Sequence, residues 1–207
     1  EPFFLSNFTK EEFVESNAAA LKYFVMASML IFLGIALFRD VFALIVGRSF
    51  REGIDILPVV LGANILAGVW LNLSFWYKRE EKTQFALYVT FTGLAVVVVL
   101  GLLMVPRWGY RGAAWARLGA EAAMVVVSLW LNRRYFPTPY DFRRIAEYVV
   151  LGVVLYFASE LLSHYLAPGA AMHYGVNVVL FATFVAFAAK REKIDVRGLV
   201  RSVMRRR

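Results

Sequence analysis

The sequence predicts an all-α integral membrane protein with six transmembrane helices paired as three antiparallel hairpins. Hydrophobic residues make up 60% of the 207, and the mean hydropathy of +0.62 lies outside the range of soluble domains. Six apolar stretches, each long enough to cross a bilayer as a helix, are separated by short charged or Pro/Gly segments. The basic residues gather at the ends of those stretches and in the tail, so membrane topology accounts for the net charge of +8 and nucleic acid is disfavoured as a partner. Cysteine is absent, which removes disulfides, thiolate chemistry and Cys-ligated metal. His164 and His173 are the only histidines and neither has a partner at ligand spacing, so no metal or cofactor is expected.

Thr9-Lys-Glu-Glu12 has the spacing of a capping box, so a helix should begin near residue 10 and run through a first span at 18–38, with residues 1–16 as a cytoplasmic amphipathic lead-in. Residues 41–55 carry Arg48, Arg51, Glu52 and Asp55, too many charges to cross. Residues 56–77 hold no charge; as a helix they would extend roughly 33 Å, matching a hydrocarbon core. Lys78–Lys82 is a charged loop, and the third span, 83–105, includes the Val96–Val99 run, which has no barrel-strand alternation. Residues 106–112 read as an outer Gly-rich turn leading into a fourth span at 113–131. Pro137 and Pro139 place a loop at 132–144, the fifth span follows at 145–166, and Pro168-Gly169 turns the chain into a sixth at 170–189. Residues 190–207 are a basic cytoplasmic tail, suited to anionic membrane lipid. The chain opens with Glu-Pro-Phe-Phe and shows no signal-peptide pattern, so it is expected to be a fragment.

Lys and Arg number 17 on the side holding both termini and 5 on the other, so the positive-inside rule makes the termini cytoplasmic and residues 106–112 external.

Arg117 and Glu121 lie one helical turn apart inside the fourth span. Each would cost about 2.5–3.5 kcal/mol at a lipid-facing bilayer centre, so both should face protein or a watery cavity. They are the candidate substrate-binding pair: a cation for an anionic ligand, with a carboxylate to balance it or hold a coupling ion. The same spacing also fits a structural ion pair whose arginine snorkels to the interface. Glu160 and His164 repeat the spacing in the fifth span and are candidates for ion coupling, or else headgroup-level residues. Asn64 and Asn72 suit interhelical hydrogen bonds, and Gly34, Gly62, Gly68, Gly93, Gly119 and Gly152 suit close helix packing. Trp70, Trp76, Tyr77, Trp108, Tyr110, Trp130, Tyr135 and Tyr148 are assigned to interfacial belts, with sugar stacking as the sharper alternative for Trp108 and Tyr110. No phosphate-binding loop, His-Glu-x-x-His or Gly-x-Ser-x-Gly is present, so the chain does not read as an enzyme.

Pro106-Arg-Trp-Gly-Tyr-Arg-Gly-Ala-Ala-Trp-Ala resembles the (I/V)P-x-x-G-x-x-G-A-A-x-A turn of bacterial polysaccharide flippases, the O-antigen and capsule transporters of the multidrug/oligosaccharidyl-lipid/polysaccharide exporter superfamily. Glu1-Pro-Phe-Phe4, Ile56-Leu-Pro58 and Asn72-Leu-Ser-Phe-Trp-Tyr-Lys78 are similar to further family stretches in the same order, covering about two-thirds of the chain. The resemblance implies the C-terminal part of a two-lobed transporter whose N-terminal lobe is missing. It implies passage of undecaprenyl-pyrophosphate-linked oligosaccharide across the bacterial inner membrane by alternating access, for polysaccharide and lipopolysaccharide synthesis. The family usually has a small or hydroxyl residue where this chain has Arg117, so the Arg117–Glu121 pair rests on its own physics. A drug/cation antiporter of the same superfamily is the alternative. A membrane-embedded glycosyltransferase or ligase would need a larger outer loop than residues 106–112.

Overall fold

A computed structural model describes residues 9–45, 53–166 and 170–192. The first residues of the lead-in, Arg48, Arg51, Glu52, Pro168-Gly169 and most of the basic tail therefore lie outside the described residues. Within them the chain is helical, with no strands: α1 (Lys10–Leu37), α2 (Arg39–Ile45), α3 (Leu57–Leu73), α4 (Phe75–Arg79), α5 (Gln84–Trp108), α6 (Tyr110–Tyr135), α7 (Phe142–Leu166) and α8 (Ala170–Arg191). Six helical segments are long and apolar enough to cross a membrane, which suggests a multi-pass membrane protein.

The capping box closes at the start of α1. Thr9 N–H donates to Glu12 Oε2 at 2.9 Å, and Glu12 N–H donates to Thr9 Oγ1 at 3.3 Å. The uncharged stretch at 56–77 differs from expectation by breaking at Ser74 into α3 and α4. Ser74 is fully buried and its hydroxyl donates to Leu71 O at 2.6 Å, the back-bonding that bends apolar helices. Helices α5, α6 and α7 extend past the apolar spans into charged sequence, because hydropathy marks the extent of the hydrocarbon and hydrogen bonding marks the end of the helix.

The turn expected at 106–112 contracts most. Helix α5 continues through Pro106 to Trp108, and α6 begins at Tyr110, leaving Gly109 alone as the turn. Its φ of +55° and ψ of −132° lie where side chains are strained, and its N–H donates to Val105 O at 2.8 Å. Gly112, one turn later, lies against the α5 backbone. A Cβ there would come within 2.5 Å of the Met104 carbonyl carbon. Such contact leaves α5 and α6 packed along much of their length.

Elsewhere, α3 packs on α6 and on α1, and α1 packs on α7 and α8. Two cores result. One gathers Leu21, Val25, Met29, Leu33, Leu73, Leu155 and Phe184 among α1, α3, α7 and α8. The other joins Phe13, Trp76, Tyr77, Phe85, Leu131 and Phe136. Trp76 stacks on Phe136 with ring centroids 5.9 Å apart and planes 10° apart. Trp76, Tyr77 and Tyr148 are thus core residues, and their assignment to the belt is corrected; Trp108, Tyr110, Trp130 and Tyr135 are exposed. Hydropathy alone does not separate an aromatic at the headgroup level from one packed between helix ends.

At the end of the bundle that holds Lys22, one carboxylate ties three helices. Glu192, just past α8 and with a side chain only 4% exposed, takes Lys22 Nζ at 2.6 Å. It also accepts from the Tyr148 hydroxyl at 2.7 Å and lies 3.6 Å from Arg144. Burial alone would raise its carboxyl pKa, but hydrogen bonds from Lys22 and Tyr148 and the charges of Lys22 and Arg144 outweigh it and hold it below the usual carboxylate value. Beside it, Glu147 pairs with Arg191 at 2.9 Å and with Arg143 at 3.4 Å.

Candidate functional site

Helices α3 and α6 run side by side with the same chain direction, so their polar residues meet in register. Asp55 pairs with Arg111 at 2.6 Å, Asn64 meets Arg117, and Trp70 meets Glu121. The Leu118 side chain fills the space opposite Gly62: a Cβ there would sit 3.6 Å from it, an ordinary contact.

Within this interface the two candidate residues are not tightly paired with each other. Arg117 Nε is 4.0 Å from Glu121 Oε1, the outer limit of an ion pair. Each is held instead by α3. An Arg117 guanidinium N–H donates to Asn64 Oδ1 at 2.7 Å, and the Trp70 indole N–H donates to Glu121 Oε2 at 2.8 Å. Glu121 faces inward, its side chain 13% exposed, whereas Arg117 remains 49% exposed. Asn64 also lines a cavity of about 230 Å³ with Phe24, Ser28, Ile31 and Phe32 of α1. The site is therefore a four-residue polar patch on two helices, presenting one half-exposed guanidinium beside a groove that is apolar apart from Asn64 and Ser28. A neighbouring cavity of about 330 Å³, shared by α1, α3, α6 and α7, is lined entirely by apolar side chains and glycine.

Asn64 thus acts as the partner of Arg117. Asn72 is buried, and its Oδ1 has no hydrogen-bond partner among the described residues. Glu160 and His164 are not brought together. Glu160 pairs with Arg39 at 2.9 Å, and His164 is exposed with its ring edge-on to Tyr165. The histidine that enters a polar network is His173. Its Nδ1 lies 2.9 Å from Ser163 Oγ, and its Nε2 lies 3.1 Å from Asn177 Nδ2. Asn177, 1% exposed, donates to Leu37 O at 2.7 Å and accepts from Ser159 at 2.6 Å. Among the described residues no group of three His, Asp or Glu side chains gathers as metal ligands would.

Sequence reasoning missed Trp70, Asn177, His173 and Glu192 as members of polar clusters. A signal existed for two of them. Ser159 and Ser163 on α7, and His173 and Asn177 on α8, have matching four-residue spacings on neighbouring spans, the pattern that lets two helices hydrogen-bond across one face. Comparison with protein-family models, curated proteins and solved structures finds no match for the chain.

Proposed function

We propose that the chain is the C-terminal part of a transporter that moves lipid-linked oligosaccharide of the undecaprenyl pyrophosphate type across the bacterial inner membrane by alternating access. On this reading its six spans form three antiparallel hairpins in one lobe of a larger two-lobed protein, with the C-terminus cytoplasmic. The observation that carries it is the state of Arg117. A cation on a membrane-spanning helix is retained at a cost, and here Trp70 takes one oxygen of the nearby Glu121, leaving a half-exposed guanidinium that is hydrogen-bonded to a neutral amide and only loosely paired with the carboxylate 4.0 Å away. Such a guanidinium offers two donors and a full charge to a phosphate or pyrophosphate. Glu121 balances the charge when the site is empty. The neighbouring cavity of about 330 Å³, lined by apolar side chains and glycine, suits the hydrocarbon part of an amphiphile.

The test is made in the full-length protein. Arg117→Ala lowers surface polysaccharide at least tenfold while protein abundance in the membrane stays unchanged, and Arg117→Lys restores only part, because the planar fork is lost. Unchanged surface polysaccharide in Arg117→Ala removes this residue from the substrate path. Equal loss of protein and polysaccharide makes the patch structural.

A further inference from the structure

We propose that His173, Asn177 and the Leu37 carbonyl form a proton-binding latch, which fastens α8 to the end of α1 when the imidazole is neutral and releases it when the imidazole is protonated.

The latch follows from where α1 stops. In an uninterrupted helix the Val41 N–H would serve the Leu37 carbonyl; here it donates to Phe38 O at 2.9 Å as α2 begins, and Leu37 O takes the Asn177 amide at 2.7 Å instead. A backbone carbonyl can only accept, so the Asn177 atom facing it must be the NH₂ group. That settles the amide orientation by chemistry. The same NH₂ lies 3.1 Å from His173 Nε2, which must therefore accept as well. The imidazole is then neutral, with its proton on Nδ1, where it donates to Ser163 Oγ at 2.9 Å. The remaining Asn177 atom, Oδ1, accepts from Ser159 at 2.6 Å.

Protonation of Nε2 cannot be accommodated with the bond to Leu37 O intact. With the amide as it stands, two N–H groups face each other. With the amide turned over, Oδ1 accepts well from the imidazolium and Nδ2 is accepted by Ser159, but the amide oxygen then faces the Leu37 carbonyl, acceptor against acceptor. The charge-assisted bond to the imidazolium is the stronger of the two, so the turned amide prevails and the bond to α1 is lost. The sign is fixed: the tie between α8 and α1 is present at higher pH and lost as pH falls.

Among the described residues no nearby group duplicates the switch. Helix α1 contributes no titratable side chain over Ser28–Leu37. Helix α2 brings Arg39, and α7 brings Glu160, its partner at 2.9 Å. Asp40 on α2 and His164 on α7 are exposed, Tyr156 on α7 packs on Phe32, and Tyr174 lies edge-on to His173 on α8 itself. Only imidazole among these ordinarily changes charge between about pH 5 and 8.

Hydrogen exchange of the full-length protein in nanodiscs tests this, read at about pH 7.5 and about pH 5.5 and corrected for chemical exchange. In the wild type, peptides covering Leu33–Arg39 and Met172–Val178 should exchange about tenfold faster at the lower pH, the factor that loss of one buried hydrogen bond produces. His164→Gln should keep that response and His173→Gln should abolish it. A wild type with no local response, or a response that survives in His173→Gln or vanishes in His164→Gln, overturns the latch. Should His173→Gln fail to fold, ¹⁵N shifts of histidine in the wild type decide, with the signals assigned by their loss in His173→Asn. The Nδ1–H tautomer at neutral pH sustains the latch; the Nε2–H tautomer overturns it.

Discussion

Gly112→Ala lowers the thermal unfolding midpoint of the protein in detergent by about 6–12 °C, equivalent to about 3 kcal/mol. The added methyl group has no flexible side chain to push aside. Its nearest neighbours are the carbonyl of Met104 and the Val105 nitrogen, both backbone atoms of α5, so α5 and α6 must separate. Separation spoils packing along the most extensive helix–helix contact in the fold. Gly101→Ala, on the same helix pair, is the control with the opposite sign. A Cβ at Gly101 meets nothing within 4 Å, and alanine is the better helix former, so this variant holds or gains stability. Equal behaviour of the two would show that backbone contact at Gly112 does not limit the packing.

Glu192→Gln has the second large effect, a loss of about 3 kcal/mol at neutral pH. The amide still accepts from the Tyr148 hydroxyl, but Lys22, 13% exposed, loses its counter-charge and Arg144 loses one of two carboxylates. A cycle with Lys22→Met checks the mechanism: the paired variant should cost less than the sum of the singles by at least about 1.5 kcal/mol. Additive singles would mean that the 2.6 Å contact contributes nothing net. The pH dependence has a defined sign. Because the folded carboxyl titrates below its unfolded value of about 4.3, its contribution is complete above that value and is lost as pH falls through the lower, folded one. Stability attributed to Glu192 is therefore flat from about pH 5 to 8 and falls only in stronger acid, and the Gln variant lacks that acid limb.

The helical class and the six apolar spans were legible because both follow from composition and from the length of the apolar runs, which any bilayer imposes. The break at Ser74 was not, since a serine in an apolar run gives no sign of whether its hydroxyl bonds across a helix interface or back to its own turn. The seven-residue turn at 106–112 reduced to Gly109 for a related reason. Pro106 lacks the N–H that a helix would use and disfavours a helix interior, so the sequence reads as a turn, yet α5 continues through it to Trp108 while packed on α6. In the candidate site, Arg117 and Glu121 announced themselves as charges in an apolar stretch. What the spacing did not contain is that α3 competes for both of them. Helix spacing constrains pairs within one helix, whereas Trp70 and Asn64 reach the site from about fifty residues away, through the register of two parallel helices. Glu160 and His164 show the converse: correct spacing, with the partner supplied by Arg39 of another helix.

The tie between Lys22 and Glu192 also has a bearing on biogenesis. The two residues are 170 positions apart, so at ordinary rates of translation the lysine leaves the ribosome on the order of ten to thirty seconds before the carboxylate that neutralises it. During that interval α1 carries an ammonium without the carboxylate that pairs with it in the folded protein. A chain released before residue 192 retains all six apolar spans and lacks this fastening, which makes such a product a natural target for membrane quality control.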